Sequence, residues 1–255
     1  MAVNSGRLAG QVAVVTGASR GIGAAIAERL ALDGASVAVN YLTSEQAAAS
    51  VVENIVSSGG TARAFKADVC RPADARALIQ WAAETMGGVD IVVNNVGATA
   101  IAPLEAIDEE HVRSVIQNNI NGPIFVTQAA VTHLSRSKSG GRVVNISAIA
   151  SHHSIPGVSV YAAAKAALNA LTRTWAQELG PKGITVNAVA PGPTDTEMFR
   201  SWGVDENAKK FLLSRVPLGR IGLPVDIADA VAFLASGDAR WITGQVIDTA
   251  GGFLP

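Results

Sequence analysis

Tyr161 and Lys165 stand four residues apart in Tyr161-Ala162-Ala163-Ala164-Lys165, a spacing that puts both side chains on one face of a helix. A free phenol has a pKa of about 10 and is a poor base at neutral pH. A neighbouring ammonium favours the phenolate and lowers that value. A cationic ring bound beside the pair adds a second positive charge. A drop of about two to three units asks for roughly 3–4 kcal/mol of differential interaction, and partial burial beside two cations supplies energies of that order. Near the other end of the chain lies Thr16-Gly17-Ala18-Ser19-Arg20-Gly21-Ile22-Gly23. Gly17 permits a tight turn, Gly21 lets the backbone approach a phosphate, and Gly23 permits close helix–strand packing. The following helix amino end favours negative charge. A proton-active tyrosine and a pyrophosphate floor together point to hydride transfer between a nicotinamide and a carbonyl or alcohol carbon.

The end of the second apolar run bears on which dinucleotide is held. An acidic residue there would bind the ribose diol and repel a 2′-phosphate. This chain has Asn40, Tyr41, Leu42, Thr43 and Ser44, with no carboxylate until Glu45. Arg20, in the glycine turn, offers a guanidinium to a 2′-phosphate, with donors from Asn40, Thr43 and Ser44 beside it. NADP(H) is therefore favoured over NAD(H). Ser147 closes a further apolar run and would hydrogen-bond a substrate oxygen on which charge grows.

These residues need elements to position them, and the chain supplies a regular alternation. Short apolar runs at 11–16, 36–40, 61–67, 89–94, 141–147, 184–189 and 245–248 read as strands. Helical spacing follows at 22–32, 45–58, from Pro72 onward, 108–119, 123–136, 160–179 and 224–236. Strand–helix alternation throughout implies an α/β fold: one Rossmann-like, doubly wound parallel sheet with helices on both faces, spanning residues 1–255 as a single domain. Such sheets bind ligands at the carboxyl ends of their strands, where the winding reverses. Residues 193–217 break the rhythm and carry Met198, Phe199, Trp202 and Phe211 among charges, which suits a flap covering a substrate.

Composition narrows the partners. The 255 residues are 49% hydrophobic with a formal net charge of −1, so no electrostatic argument points to nucleic acid or an acidic membrane surface. No apolar run is long enough to cross a bilayer and no signal peptide is evident, so a cytoplasmic location is expected. The single cysteine, Cys70, reads as a packing residue. His152 and His153 follow the run ending at Ser147 and read as loop groups near a substrate entrance. No His-x-x-x-His spacing is present, and no metal is expected.

The motifs occur in an order that closely resembles the short-chain dehydrogenase/reductase superfamily, over essentially the whole chain: Thr16-Gly17-x-x-x-Gly21-x-Gly23, Asp68-Val69, Asn94-Asn95-Val96-Gly97, Asn119, Ser147, Tyr161-x-x-x-Lys165 and Pro191-Gly192. The resemblance implies that Asp68 and Val69 hold the adenine and that Asn95, Val96 and Gly97 pass along the cofactor. It places Ser19 and Ile22 in the cofactor turn, and Pro191, Gly192, Thr194 and Thr196 near the carboxamide. Val96 stands where the family more often has Ala, and Thr194 where it often has an aliphatic residue. On residue chemistry alone Asn119 reads as a helix-ending asparagine; the resemblance selects it over Asn118 as the residue joining Lys165, through water, to a proton relay. Lys165 is implied to hold the nicotinamide ribose, and a homotetramer is implied.

The expected activity is reduction of a small-molecule ketone to a secondary alcohol, reversibly, with Tyr161 as general acid/base. A 3-oxoacyl reductase acting on acyl carrier protein or coenzyme A thioesters is the alternative, for which Lys138 and Lys182 are candidate basic docking positions. A non-catalytic dinucleotide sensor would not need Ser147, Tyr161 and Lys165 together. A hydrolase built on Ser147 lacks the Gly-x-Ser-x-Gly elbow, and no particular acid stands out to orient either histidine.

Overall fold

The computed structural model describes residues 6–203 and 205–253. Residues 1–5, Val204 within the expected flap, and Leu254 and Pro255 lie outside the described residues. The strands are β1 (Val12–Val15), β2 (Ser36–Tyr41), β3 (Thr61–Lys66), β4 (Ile91–Asn94), β5 (Gly141–Ile146), β6 (Ile184–Pro191) and β7 (Val246–Thr249). Between them run α1 (Gly21–Leu32), α2 (Glu45–Ser57), α3 (Pro72–Met86), α4 (Glu109–Ile116), α5 (Gly122–Leu134), α6 (Ser159–Leu179), α7 (Glu197–Ser201), α8 (Glu206–Ser214) and α9 (Pro224–Ala235).

The strands form one sheet in the order β3-β2-β1-β4-β5-β6-β7, and every neighbouring pair is parallel. Pleating sends alternate side chains to opposite faces. Ala13 and Val15 pack with Ile26 and Leu30 of α1 and Ile227 and Val231 of α9. Val14, between them, packs on the other face with Leu78 and Ile79 of α3 and Val126 and Leu134 of α5. Burial on both faces is why the central strands are apolar without alternation. The winding reverses between β1 and β4, which opens a crevice at their carboxyl ends.

The sequence spacing predicts separate helices meeting near residues 119–123. The structure instead continues from α4 into α5 through a π-helical turn, Gln117–Asn121. Pro123, in the first turn of α5, has no N–H to return to a carbonyl four residues back, which favours a slipped, wider turn. Asn119 Nδ2 donates to the Val115 carbonyl at 2.8 Å, satisfying an acceptor at the slip. Asp108 caps α4 as its sequence position predicts, accepting from the His111 N–H at 2.8 Å.

Residues 193–217 carry α7 and α8 rather than open coil. Their base is pinned where Thr194 bridges Gly222. Their exit is held by the Leu218 N–H donating to the Gly251 carbonyl at 3.2 Å.

Candidate active site

The glycine turn is built by backbone conformation first. Gly17 and Gly21 have φ of +60° and +57°, in the left-handed region that side chains disfavour. A Cβ on Gly23 would lie 2.4 Å from the Gly17 carbonyl oxygen and 2.5 Å from Asn95 Nδ2, so the start of α1 presses directly on the turn. Thr16 Oγ1 accepts from the Asn95 N–H at 2.9 Å and the Val96 N–H at 3.1 Å. Asn95 Nδ2 in turn donates to the Thr16 carbonyl at 2.9 Å and to Gly17 O at 3.1 Å. This ladder ties β1 to β4 across the switch point. Thr16 was quoted in the turn motif, yet its role as a strand tie was not legible from spacing. No side chain caps α1 at Arg20, so its amino end remains available to an anion. Ser19 lies partly exposed in the turn, and Ile22 packs against the core beneath it.

At the far end of the crevice one expectation is corrected. Asn40 is 1% exposed, and its amide Nδ2 donates toward the carbonyls of Phe65 and Ala67 at 3.3 and 3.1 Å. Its Oδ1 accepts from the Gly17 N–H at 3.2 Å. Asn40 therefore braces the glycine turn against β3, and its donors are not free for a 2′-phosphate. Tyr41, expected beside the cofactor with its neighbours, turns its ring into the core, so only its backbone faces that end of the crevice. Thr43 is exposed and Ser44 caps nothing with its side chain, so both hydroxyls remain open. Arg20 is exposed and pairs with Glu197 of α7 at 3.1 Å. An exposed pair of this kind is worth about 0–1 kcal/mol, so it does not withhold the guanidinium from a stronger anion. Asp68 accepts from the Cys70 N–H at 3.0 Å, while Val69 is buried against the α3 face. Burial first, then the Asp68 charge and hydrogen bond, push the Cys70 thiol up to about 12, which fits an inert packing residue.

At the flap base, Thr194 is 6% exposed and its hydroxyl donates to the Gly192 carbonyl at 2.9 Å. Thr196 accepts from the Phe199 N–H at 3.1 Å, capping α7. Its methyl carbon lies 3.7 Å from the point where a Cβ on Gly21 would stand, so the flap begins directly over the glycine turn. Pro191 pairs with Thr249 at the end of β6, and Gly192 packs so closely that a Cβ would meet that of Ala250 at 2.7 Å.

The acid/base group assembles where β5 ends against α6. Ser147 is 2% exposed, and its Oγ lies 3.5 Å from the Lys165 carbonyl. Lys165 is 3% exposed, and its Nζ donates to the Ile146 carbonyl at 2.7 Å. The same Nζ lies 5.7 Å from the Tyr161 ring centroid. Asn119 is fully buried, with Nδ2 bonded to Ala98 O at 2.8 Å and Oδ1 without a partner. A Cβ on Gly97 would stand 2.8 Å from that Oδ1 and 3.3 Å from Lys165 Nζ, so glycine is what leaves room between amide and amine.

Ionisation departs from the sequence expectation. Burial lowers the Lys165 amine to about 7. Burial raises the Tyr161 phenol to about 12, with a hydrogen bond from Thr99 pulling the other way. The phenol in the protein alone is thus a held proton rather than a group near half-ionisation. The lysine faces the Ile146 carbonyl and, with its value near 7, is only part-charged at neutral pH, so its positive charge offsets burial incompletely. Thr99 was missed in the sequence; it is a lone polar residue in Ala98-Thr99-Ala100-Ile101-Ala102, just past the Asn95–Gly97 motif.

The donor set fits a nicotinamide dinucleotide: an uncapped helix amino end over left-handed glycines, an exposed guanidinium with two free hydroxyls, and an orphaned buried amide oxygen beside a buried amine. The comparisons with known proteins agree. The family model described as enoyl-(acyl carrier protein) reductase matches residues 17–254. The chain belongs to the short-chain dehydrogenase/reductase superfamily. A protein of Methylorubrum extorquens named as an uncharacterised oxidoreductase is 47% identical over 96% of this chain and 98% of its own length. A hydroxynaphthalene reductase-like protein, Arp2, of Metarhizium guizhouense is 42% identical over 96% and 95%. A short-chain dehydrogenase of Burkholderia cenocepacia solved with NADP superposes with a TM-score of 0.90 at 40% identity, covering 96% of this chain and 98% of that one. A 7α-hydroxysteroid dehydrogenase solved with NADH and 7-oxo glycochenodeoxycholic acid gives 0.93 at 34%, covering 97% and 96%. This short-chain dehydrogenase/reductase is accordingly an NAD(P)-dependent oxidoreductase. Among the described residues no helix is long and apolar enough to cross a membrane.

Two groups outside the crevice complete the placement of the candidates. Lys138 precedes β5 and Lys182 precedes β6, so both sit at the amino ends of their strands. The acid/base residues sit at the carboxyl ends. A docking role for these lysines beside the same subunit's active site is therefore not supported. His152 and His153, expected as loop groups, meet Asp248 of β7; His152 Nε2 and Asp248 Oδ2 are 2.9 Å apart.

Proposed function

We propose that this short-chain dehydrogenase/reductase reduces apolar ketones to secondary alcohols with NADPH, and runs in reverse on the alcohols. The observation that carries the reading is the meeting, at one strand end, of the half-buried Tyr161 phenol, the buried Lys165 amine and the buried Ser147 hydroxyl. The bound nicotinamide supplies or accepts the hydride. Ser147 hydrogen-bonds the substrate oxygen and stabilises the charge that grows there. Tyr161 gives its proton to that oxygen, and a phenol held neutral is ready to do so. Lys165 positions the ribose and favours the phenolate left behind. Asn119, through its free Oδ1, orders a water that returns the proton.

NADPH over NADH rests on exposed Arg20, the open hydroxyls of Thr43 and Ser44, and the absence of a carboxylate from Asn40 to Ser44. A ketone with an apolar body rests on the flap, where Met198, Trp202 and Phe211 are exposed. The Arp2 relative, whose name refers to hydroxynaphthalene reduction, and the steroid ketone in the 7α-hydroxysteroid dehydrogenase complex are consistent with it. Reduction of 3-oxoacyl thioesters remains the second reading, favoured by the acyl-carrier description of the matching family model. We further read the chain as a homo-oligomer, with Trp241, 96% exposed just before edge strand β7, as surface for a second copy to cover.

The test is a panel of aryl ketones, keto esters and acetoacetyl thioesters run with NADPH and NADH in parallel. Turnover concentrated on apolar ketones with NADPH is expected. Turnover confined to thioesters moves the assignment to the second reading, and no turnover with any carbonyl defeats both.

A further inference from the structure

We propose that His152, His153 and Asp248 form a binding site for a divalent metal ion of the zinc class. The proposal is independent of the ketone reading. One ligand atom from each of the three residues lies within 4.8 Å of the others. A tetrahedral zinc with bonds of about 2.0–2.2 Å spaces its ligand atoms by roughly 3.4 Å. Rotation of partly exposed side chains, by an ångström or so, closes that difference. The His152 Nε2 and Asp248 Oδ2 atoms are already 2.9 Å apart. Two imidazoles and a carboxylate leave a fourth position for water, as open zinc sites do.

The surroundings add the parts that a loop histidine pair by itself lacks. Ser151 Oγ lies 2.9 Å from His152 Nδ1, and Asn169 Nδ2 donates to Ser151 Oγ at 2.8 Å. A chain of this kind fixes the ring so that Nε2 faces inward, as outer-shell partners of metal-bound histidines do. Asn169 is 6% exposed, and its Oδ1 is buried without a partner. It lines the same hollow, of about 320 Å³, as His152, Arg173, Val246 and Asp248. A metal-bound water supplies the hydrogen bond that this oxygen lacks. Arg173 lines that hollow beside Asp248, and with two imidazoles to one carboxylate the affinity rests on the nitrogen ligands. The site therefore selects zinc-class ions over magnesium or calcium.

Position gives the site a consequence. His152 and His153 lie just beyond Ser147, on the loop that leads to α6. Asp248 lies on β7, and three residues later the Gly251 carbonyl holds the flap exit through the Leu218 N–H. The Phe253 ring stands 6.1 Å from the His153 ring. A metal here joins the loop after the catalytic serine to the segment that anchors the flap.

Zinc titrated into the untagged full-length chain against a chromophoric chelator tests this. One ion per chain is expected, with magnesium and calcium failing to compete. His153→Gln and Asp248→Asn should each weaken zinc binding by roughly tenfold or more, and Arg173→Ala should tighten it. A double variant, His111→Gln with His133→Gln, should bind as the parent does. Dinucleotide affinity measured on every variant checks its fold. No binding at micromolar zinc overturns the proposal. So does binding that survives both His153→Gln and Asp248→Asn, or binding lost with His111 and His133, which would mark incidental surface histidines.

Discussion

Burial drives the two central ionisable groups toward their neutral forms: Lys165 falls to about 7 and Tyr161 rises to about 12. For Lys165 the folded value lies below the unfolded one, 10.5. Between those values the unfolded chain holds a proton that the folded chain has lost, so stability rises with pH across the window. Below about 7 the folded chain must bury the charge, and stability is lowest there. The urea midpoint of the dinucleotide-free protein should therefore increase from pH 6.5 to pH 9, and Lys165→Met should flatten that increase. Equal pH slopes in parent and variant would show that the amine is not desolvated. Arg20 gives a second prediction at this scale. A charge-assisted bond to phosphate is worth about 1.5–3 kcal/mol, so Arg20→Ala should raise the KM for NADPH by about tenfold or more and leave that for NADH nearly unchanged. Equal losses with both would assign Arg20 to its Glu197 pair alone.

The strand-to-helix junctions carry the site, and their legibility differed with the kind of signal. Gly17, Gly21 and Gly23 announced their turn because only glycine satisfies its φ values and close contacts. Tyr161 and Lys165 announced a shared helix face through their spacing. Asn40 did not announce its role: a buried amide bracing Gly17 and an amide open to a phosphate have the same residue type, and only the β2–β3 pairing decides between them. The π-helical turn at Gln117–Asn121 was equally hidden, because an asparagine that ends a helix and one that bridges a slip read alike. Gly23 offers the test at this scale. The added methyl of Gly23→Ala meets the Gly17 carbonyl at 2.4 Å, so overpacking should cost about 1–3 kcal/mol in urea unfolding and weaken dinucleotide binding with it. An unchanged midpoint would mean that α1 does not bear on the turn.

Across the whole molecule, the parallel sheet and the two-sided core followed from the alternation of apolar runs and helical spacing, since strand–helix alternation has few other solutions; the order of the strands within the sheet did not. Contacts between distant segments did not follow. Glu197 meets Arg20 and Asp248 meets His152 only after the sheet brings residues far apart in sequence to one edge. Cys70 reports on the integrity of this packing. Its thiol, pushed up to about 12 by burial and Asp68, should resist a disulfide reagent at pH 8 and react only as the protein opens, at a rate that grows with urea. Fast labelling without denaturant would place the thiol at the surface. The nucleotide floor and the proton donor are separable parts of one site. Tyr161→Phe keeps the ring and removes only the hydroxyl, and general acid help contributes about two to four decades in rate. Single-turnover hydride transfer to a ketone, with NADPH affinity measured on the same sample, should show a loss of that size with affinity unchanged. Transfer at the parental rate, with the same affinity, would contradict the assignment of Tyr161 as the proton donor.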